Sequence, residues 1–263
     1  LNLIRVMPAE GWMTGEKPFA DVLARVRAER PLIHNITNLV VMNVTANALL
    51  AAGASPVMAH APEEAADFAA MAGALVINMG TIDSAFFPAM HVAARKARKK
   101  QVPWVLDPVG VGATDYRRGI GRHLSRMKPA VVRGNASEIM ALAGEAAKGK
   151  GVDSTDASAA ALDAARRLSL KRKTVVAVTG ETDFVVTGDE VTAIEGGHAL
   201  SQQVTGTGCV ATALVGACLA VAPPREAAVA ALQLMKWAAA EAAAKSQGPG
   251  SFAVALMDAL AAA

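Results

Sequence analysis

An α/β fold around a mostly parallel sheet is predicted for this chain by three observations. Short β-branched runs recur along it, each ending in Gly, Pro, Asp or Asn. An Ala-rich amphipathic stretch follows each run, long enough to cover a sheet face, so helices are expected on both sides. With 263 residues, 53% of them hydrophobic and 19% charged, the chain can also bury enough surface to offset its ordering entropy, which excludes disorder.

The elements follow in order. Residues 1–17 carry little pattern and are expected to form a loose N-terminal extension. Residues 18–30 read as a helix ended by Pro31. The run ALVINMG (74–80) is a buried strand with a turn after it, and 85–100 is a helix with a basic end. The segment 102–114 is a strand running into a Gly-rich loop, and 130–144 is a strand, a cap and a helix ended by Gly144. A further strand and loop occupy 173–181, and 184–197 is a hairpin turning at Gly188-Asp189. From Thr207 onward the chain is nearly all helix. No repeat and no Pro/Ser-rich linker divides residues 18–263, so they are expected to form a single domain.

Composition removes several function classes. The longest uncharged stretches are 31–62 and 196–224; the first is broken by asparagines and prolines. The second has an apolar part of about 15 residues, short of the ~20 a spanning helix needs, so no membrane partner is expected. No apolar leader opens the chain, and Cys209 and Cys218, nine apart, fall on opposite faces of one helix and cannot pair there. Two thiols without a disulfide framework suggest a reducing cytoplasm. The net charge of +3 suits an anionic ligand without implying a nucleic-acid surface, and no aromatic residue interleaves the basic run RKARKK (95–100). The segment GEAAKGKG (144–151) has P-loop spacing, but it follows a helix and carries Gly151 where a hydroxyl should bind magnesium. It reads better as a helix C-cap and a mobile loop. His-Glu-x-x-His and Gly-x-Ser-x-Gly signatures are absent.

In parallel sheets, ligands bind beyond the carboxyl ends of the strands, which directs attention to the loops after them. In VTGTGCVATALVG (204–216), two glycines lead into an apolar helix. This is either an anion site at a helix N-terminus or a Gly-rich turn before a core helix. Cys209 would lie in its first turn, where the dipole is expected to lower the thiol pKa. In DPVGVGAT (107–114), Asp107 ends an apolar strand and suits magnesium-water coordination, or else caps a loop. In RGNASE (133–138), Asn135 and Glu138 have capping-box spacing, whereas Arg133 would be a cation at the end of a buried strand and needs a partner such as phosphate. In HNITN (34–38), His34 reads as a structural hydrogen-bonder and Asn38 as a helix cap, with Asn43 and Asn47 on one face of the helix that follows. Met58, in SPVMAHAP (55–62), is either core or the lining of a pocket for an apolar heterocycle.

Seven segments then occur together in order: HNITN (34–38), NVTANALLAAGASPVMAHAPEE (43–64), INMGT (77–81), DPVGVGAT, RGNASEI (133–139), VAVTGE (176–181) and TGTGC (205–209). Together they closely resemble the hydroxyethylthiazole kinase family of the ribokinase-like superfamily, over roughly residues 18–262. The resemblance implies a three-layer ribokinase-like fold without a separate lid domain. It implies phosphorylation of the alcohol of 4-methyl-5-(2-hydroxyethyl)thiazole by ATP with Mg2+, in thiamine biosynthesis or salvage. A homotrimer with active sites at subunit interfaces is implied as well. Residue by residue, Met58 and Gly206 would contact the thiazole, with Asn38 near its hydroxyethyl arm. Arg133 and Thr179 would hold the ATP phosphates, with the Gly208 backbone beside them. Asp107 and Glu138 would position magnesium through water, and Cys209 would stand where most ribokinase-like sugar kinases carry an Asp base. Rival readings are a hydroxymethylpyrimidine or related small-alcohol kinase and a non-catalytic thiazole-binding protein. HNITN and Cys209 argue against the first, and the phosphate and magnesium groups against the second.

Overall fold

A computed structural model of the chain describes residues 4–8, 17–145 and 154–263. Among these residues, nine strands form one sheet: β1 (Ile4–Met7), β2 (Leu32–Ile36), β3 (Ser55–Val57), β4 (Ala74–Asn78), β5 (Trp104–Asp107), β6 (Val131–Asn135), β7 (Val175–Thr179), β8 (Asp183–Thr187) and β9 (Glu190–Ile194). Their order across the sheet is β1-β9-β8-β7-β6-β5-β4-β2-β3. All neighbours from β3 to β7 run parallel. Strands β8 and β9 add an antiparallel hairpin whose turn, with Gly188 at φ 59°, falls where the sequence pattern puts it. Ile4–Met7, within the segment expected to be a loose extension, pair parallel with β9 as an edge strand. The rest of that extension, residues 1–3 and 9–16, lies outside the described residues, as does the expected mobile loop at 146–151.

Strand residues alternate between two cores, as the period of two requires. Ala74 and Val76 face one cluster with α1 (Ala20–Glu29), α2 (Met42–Ala51), α8 (Thr207–Leu219), α9 (Pro224–Ala244) and α10 (Pro249–Ala262). Leu75 and Ile77 face the other, with α3 (Pro62–Met71), α4 (Phe86–Lys100), α5 (Asp115–Ser125), α6 (Ala136–Ala143) and α7 (Ser154–Arg172). The result is the expected three-layer arrangement, a mostly parallel sheet with helices on both faces. Among the described residues no helix is long and apolar enough to cross a membrane.

Helix α8 decides where the site sits. Its small residues let it lie directly on the sheet: a Cβ on Gly216 would come within 2.4 Å of Val76 Cγ2. Its first turn therefore meets the carboxyl ends of β4 and β5, the place a parallel sheet reserves for ligands.

Candidate active site

The site is built from strand ends and one helix start. Asp107, the last residue of β5, is fully buried. Its Oδ2 accepts hydrogen bonds from Thr212 Oγ1 of α8 at 2.7 Å and from Asn78 Nδ2, at the end of β4, at 3.0 Å. Arg133 of β6 faces the same oxygen at 3.5 Å, and its guanidinium also donates to Thr179 Oγ1 at the end of β7. Oδ1 of Asp107 is buried without a partner among the described residues. Burial pushes the Asp107 carboxyl up to about 6, with the positive charge of Arg133 working against that rise.

Cys209 joins this group from the first turn of α8. Asn78 Nδ2 donates to its sulfur at 3.1 Å and Asn38 Nδ2 at 3.6 Å. Asn38 Nδ2 also bonds Asn78 Oδ1 at 2.9 Å, so two asparagines link the loop after β2 to the thiol and to Asp107. The expected lowering of the thiol pKa does not occur. Burial, reinforced by the Asp107 charge, pushes Cys209 up to about 11, and the local pull of a helix N-terminus does not overcome the two together. At neutral pH the group is a thiol.

Asn38 is not the helix cap its position suggested. The cap residue of α2 is Val41, which makes no side-chain cap bond, while Asn38 Oδ1 accepts the Val40 N–H in a short local turn. The capping box at Asn135 and Glu138 is present, with both reciprocal bonds at 2.9 Å. Glu138 Oε1 additionally accepts the N–H of Gly110 at 3.0 Å, tying the Gly-rich loop after β5 to α6. Asn47 bonds Asn43 across one helix turn, and His34 bonds the Ala59 carbonyl, as expected. Gly206 adopts φ 89° at the start of α8, and a Cβ there would strike Val41 Cγ1 at 2.8 Å. A Cβ on Gly208 would meet Arg133 NH1 at 2.7 Å, so a bare helix turn is what lets the guanidinium lie over the helix start. Met58 is half-buried just beyond β3, and no side-chain hydrogen bond joins it to the group around Asp107.

A cleft of about 740 Å³ is lined by Arg133, Thr179 and Gly208 together with Gly197, His198 and Lys236. It is within the size range of small-molecule and cofactor sites. Its lining brings together a cation (Arg133), a hydroxyl (Thr179) and the first turn of α8, whose N–H groups have no intrahelical partners.

The model of the "Hydroxyethylthiazole kinase family" matches residues 23–263. The chain belongs to the hydroxyethylthiazole kinase family. A hydroxyethylthiazole kinase of Cereibacter sphaeroides is 54% identical over 238 residues, 90% of this chain and 91% of that protein. One from Rhizobium rhizogenes is 50% identical over 244 residues, covering 92% and 91%. The solved structure of the Pyrococcus horikoshii hydroxyethylthiazole kinase superposes with a TM-score of 0.86 at 43% identity, covering 94% of each chain. A ribokinase-like superfamily protein of Enterococcus faecalis shares the fold, with a TM-score of 0.68 at 13% identity over 98% of this chain and 95% of that one.

Three residues of the site are given no role by the sequence reading, although Asn78 and Thr212 lie within its quoted segments. Asn78 ends the apolar run ALVIN, and its amide is the hub between Asn38, Cys209 and Asp107. Thr212 is a buried hydroxyl within the apolar body of α8, five residues after Thr207. Lys236 is a single buried cation in the Ala-rich α9, with Nζ donating to the carbonyls of Gly180 at 2.9 Å and Glu181 at 2.5 Å and facing Asp183 at 3.4 Å. A buried polar residue alone in an apolar stretch is the signal that could have found all three.

Proposed function

We propose that this chain transfers the γ-phosphoryl group of ATP to the hydroxyl of 4-methyl-5-(2-hydroxyethyl)thiazole, in thiamine biosynthesis or salvage. The observation that carries this reading is the unbroken polar chain from Asn38 through Asn78 to Asp107 and Arg133, laid against the first turn of α8. It joins an alcohol-facing end to a phosphate-facing end within one site. Arg133 and Thr179 bind the phosphates, and the backbone around Gly206 and Gly208 supplies N–H donors. Met58 and Gly206 face the thiazole, and Asn38 lies by the hydroxyethyl arm.

In the reaction, the alcohol oxygen bonds to the γ-phosphorus as the bond to the departing ADP breaks, and the hydroxyl proton is given up to solvent water. Positioning and charge stabilisation supply most of the rate in such a transfer. A thiol raised to about 11 is a poor base, so Cys209 acts as a neutral hydrogen-bonding partner that orients the hydroxyl. The donor set fits magnesium. Among the described residues no group of three His, Cys, Asp or Glu side chains converges to cage an ion. The unpartnered Asp107 Oδ1 instead suits a cation held by one or two carboxylates, waters and substrate phosphate, with Glu138 as the second carboxylate. When bound, the ion neutralises charge on the phosphates.

The protein works in the cytoplasm as a homotrimer with active sites at subunit interfaces. Leu39 and Val40, directly after Asn38, are 62% and 64% exposed, an apolar edge that a neighbouring subunit would cover. The deciding experiment is ADP release from MgATP, comparing hydroxyethylthiazole with hydroxymethylpyrimidine, beside a mass measurement in solution. Turnover confined to the thiazole is expected. Turnover with the pyrimidine alone would reassign the pocket, and saturable thiazole binding without ADP would make the chain a binding protein.

A further inference from the structure

We propose that His60 is a positioning residue: it fixes the Met58 segment against the loop that carries Asn38, and thereby sets affinity for the alcohol substrate and not for ATP. The inference rests on the thiazole kinase reading of the site. The parallel ladder between β2 and β3 ends at the pair His34–Val57. Beyond it, the next two carbonyls of this edge segment are taken by imidazoles. His34, buried and held neutral by burial, donates from Nε2 to Ala59 O at 2.8 Å. His60 Nδ1 lies 2.7 Å from Met58 O.

A carbonyl only accepts, so Nδ1 of His60 carries the proton. Nε2 lies 3.2 Å from both the N–H and the carbonyl oxygen of Thr37, and with the ring proton on Nδ1 it accepts the N–H. Thr37 is the residue before Asn38. One imidazole therefore spans the two chain segments that flank the substrate, at the point where strand pairing stops. The edge of its ring packs on Phe86, with centroids 5.1 Å apart, which holds the ring in place from the start of α4. The clamp bonds Met58 and Thr37, the residue before Asn38, but makes no bond to Arg133 or Thr179, and His60 is not among the residues lining the cleft beside them.

The test uses His60→Ala, His60→Asn and His60→Gln in the full chain, with protein labelled at the methionine methyl carbons. An Asn amide can take the place of Nδ1 on Met58 O, and a Gln amide the place of Nε2 on Thr37. In His60→Ala, KM for the thiazole should rise about tenfold, the effect of losing one or two hydrogen bonds, while KM for ATP stays within about twofold. The Met58 methyl resonance should shift toward its flexible-chain position, while that of Met79, buried elsewhere, stays put. His60→Asn should recover the methyl resonance and most of the thiazole KM, and His60→Gln less of either. Equal losses for both substrates, an unmoved Met58 resonance, or an Asn variant no better than Ala would overturn the proposal. Where His60→Ala does not fold, the Asn and Gln variants give the same comparison. Failure of the parent protein to phosphorylate the thiazole would overturn the functional reading separately, and the Met58 resonance would then decide the clamp alone.

Discussion

Asp107, the last residue of β5, and Arg133, in the middle of the adjacent β6 rather than at its end, face each other at 3.5 Å, with their side chains 0% and 10% exposed. The pair is not a closed salt bridge. Arg133 also reaches Thr179, and Asp107 keeps one oxygen unpartnered. Each group is half-committed to the other and half-directed at whatever enters the site. That arrangement suits a pocket whose ligands bring both negative phosphates and a cation.

The Asp107 carboxyl makes stability depend on pH. Its pKa is pushed from 3.8 up to about 6 in the folded chain, so the native state holds a proton that the unfolded state has lost between those values. The stability it contributes is fully present below about pH 4 and is lost as pH rises through about 6. Urea unfolding of the wild type and Asp107→Asn should show it. The wild-type advantage should shrink by about 3 kcal/mol between pH 4 and pH 7, because a tenfold change in proton affinity is worth ~1.4 kcal/mol. Parallel profiles for the two proteins would show that the carboxyl is not perturbed.

Gly208→Ala should separate folding from phosphate binding. The added methyl would meet the Arg133 guanidinium at 2.7 and 2.8 Å. The tip of a long side chain can move aside, so the thermal midpoint should change little. The displaced guanidinium should leave the phosphate end of the cleft, and KM for ATP should rise at least about tenfold, as expected for loss of a charge-assisted hydrogen bond. Normal ATP kinetics in this variant would mean that Arg133 does not hold the phosphates.

The Cys209 thiol should be slow to alkylate. With its pKa near 11, about one molecule in ten thousand carries the thiolate at pH 7. Peptide mapping after iodoacetamide treatment should show modification rising about tenfold per pH unit up to pH 10, without a plateau near neutrality. Cys209→Ala should lower kcat because the hydroxyl loses its partner, and the pH profile of kcat should keep its shape. An inflection near neutral pH that vanishes in Cys209→Ala would restore the thiol as a base.

Strands β4 to β9 were readable in the sequence because each is a compact, largely apolar run, whereas the strand Leu32–Ile36 was not, because His34 and Asn35 give it the look of a polar segment before a helix. The strand Ile4–Met7 was hidden because most of it stays exposed at the sheet edge, leaving no alternating pattern. At the site, Asp107, Arg133, Thr179 and Cys209 stand out as polar groups at strand ends or a Gly-rich helix start. The Cys209 pKa could not be read the same way. The helix dipole is local, whereas the burial and the Asp107 charge that outweigh it come from chain a hundred residues away in sequence. Asn78 likewise looks like an ordinary strand-end residue until Asn38, Asp107 and Cys209 are folded around it.

Lys236 and Asp183 form a second buried pair, 3.4 Å apart and 10% and 6% exposed, and they brace the loop that follows Thr179. Lys236 holds the carbonyls of Gly180 and Glu181, while Asp183 Oδ1 accepts the Gly180 N–H at 2.9 Å. Burial raises the Asp183 carboxyl, and the Lys236 charge opposes that rise. Lys236→Met removes the opposing charge and leaves a buried carboxylate, which should cost about 3–5 kcal/mol. That loss should grow as pH rises above the ordinary carboxylate range, because a group with a raised folded pKa loses its stabilising contribution in that direction. Adding Asp183→Asn removes the uncompensated charge, and the double variant should recover much of the stability. The two changes should therefore be non-additive by about 1–3 kcal/mol in denaturant unfolding. KM for ATP should stay elevated in both variants, since neither restores the lysine that holds the loop carbonyls beside the cleft. Additive losses would mean that the two residues act on the fold independently, and that the Thr179 loop is positioned by its backbone alone.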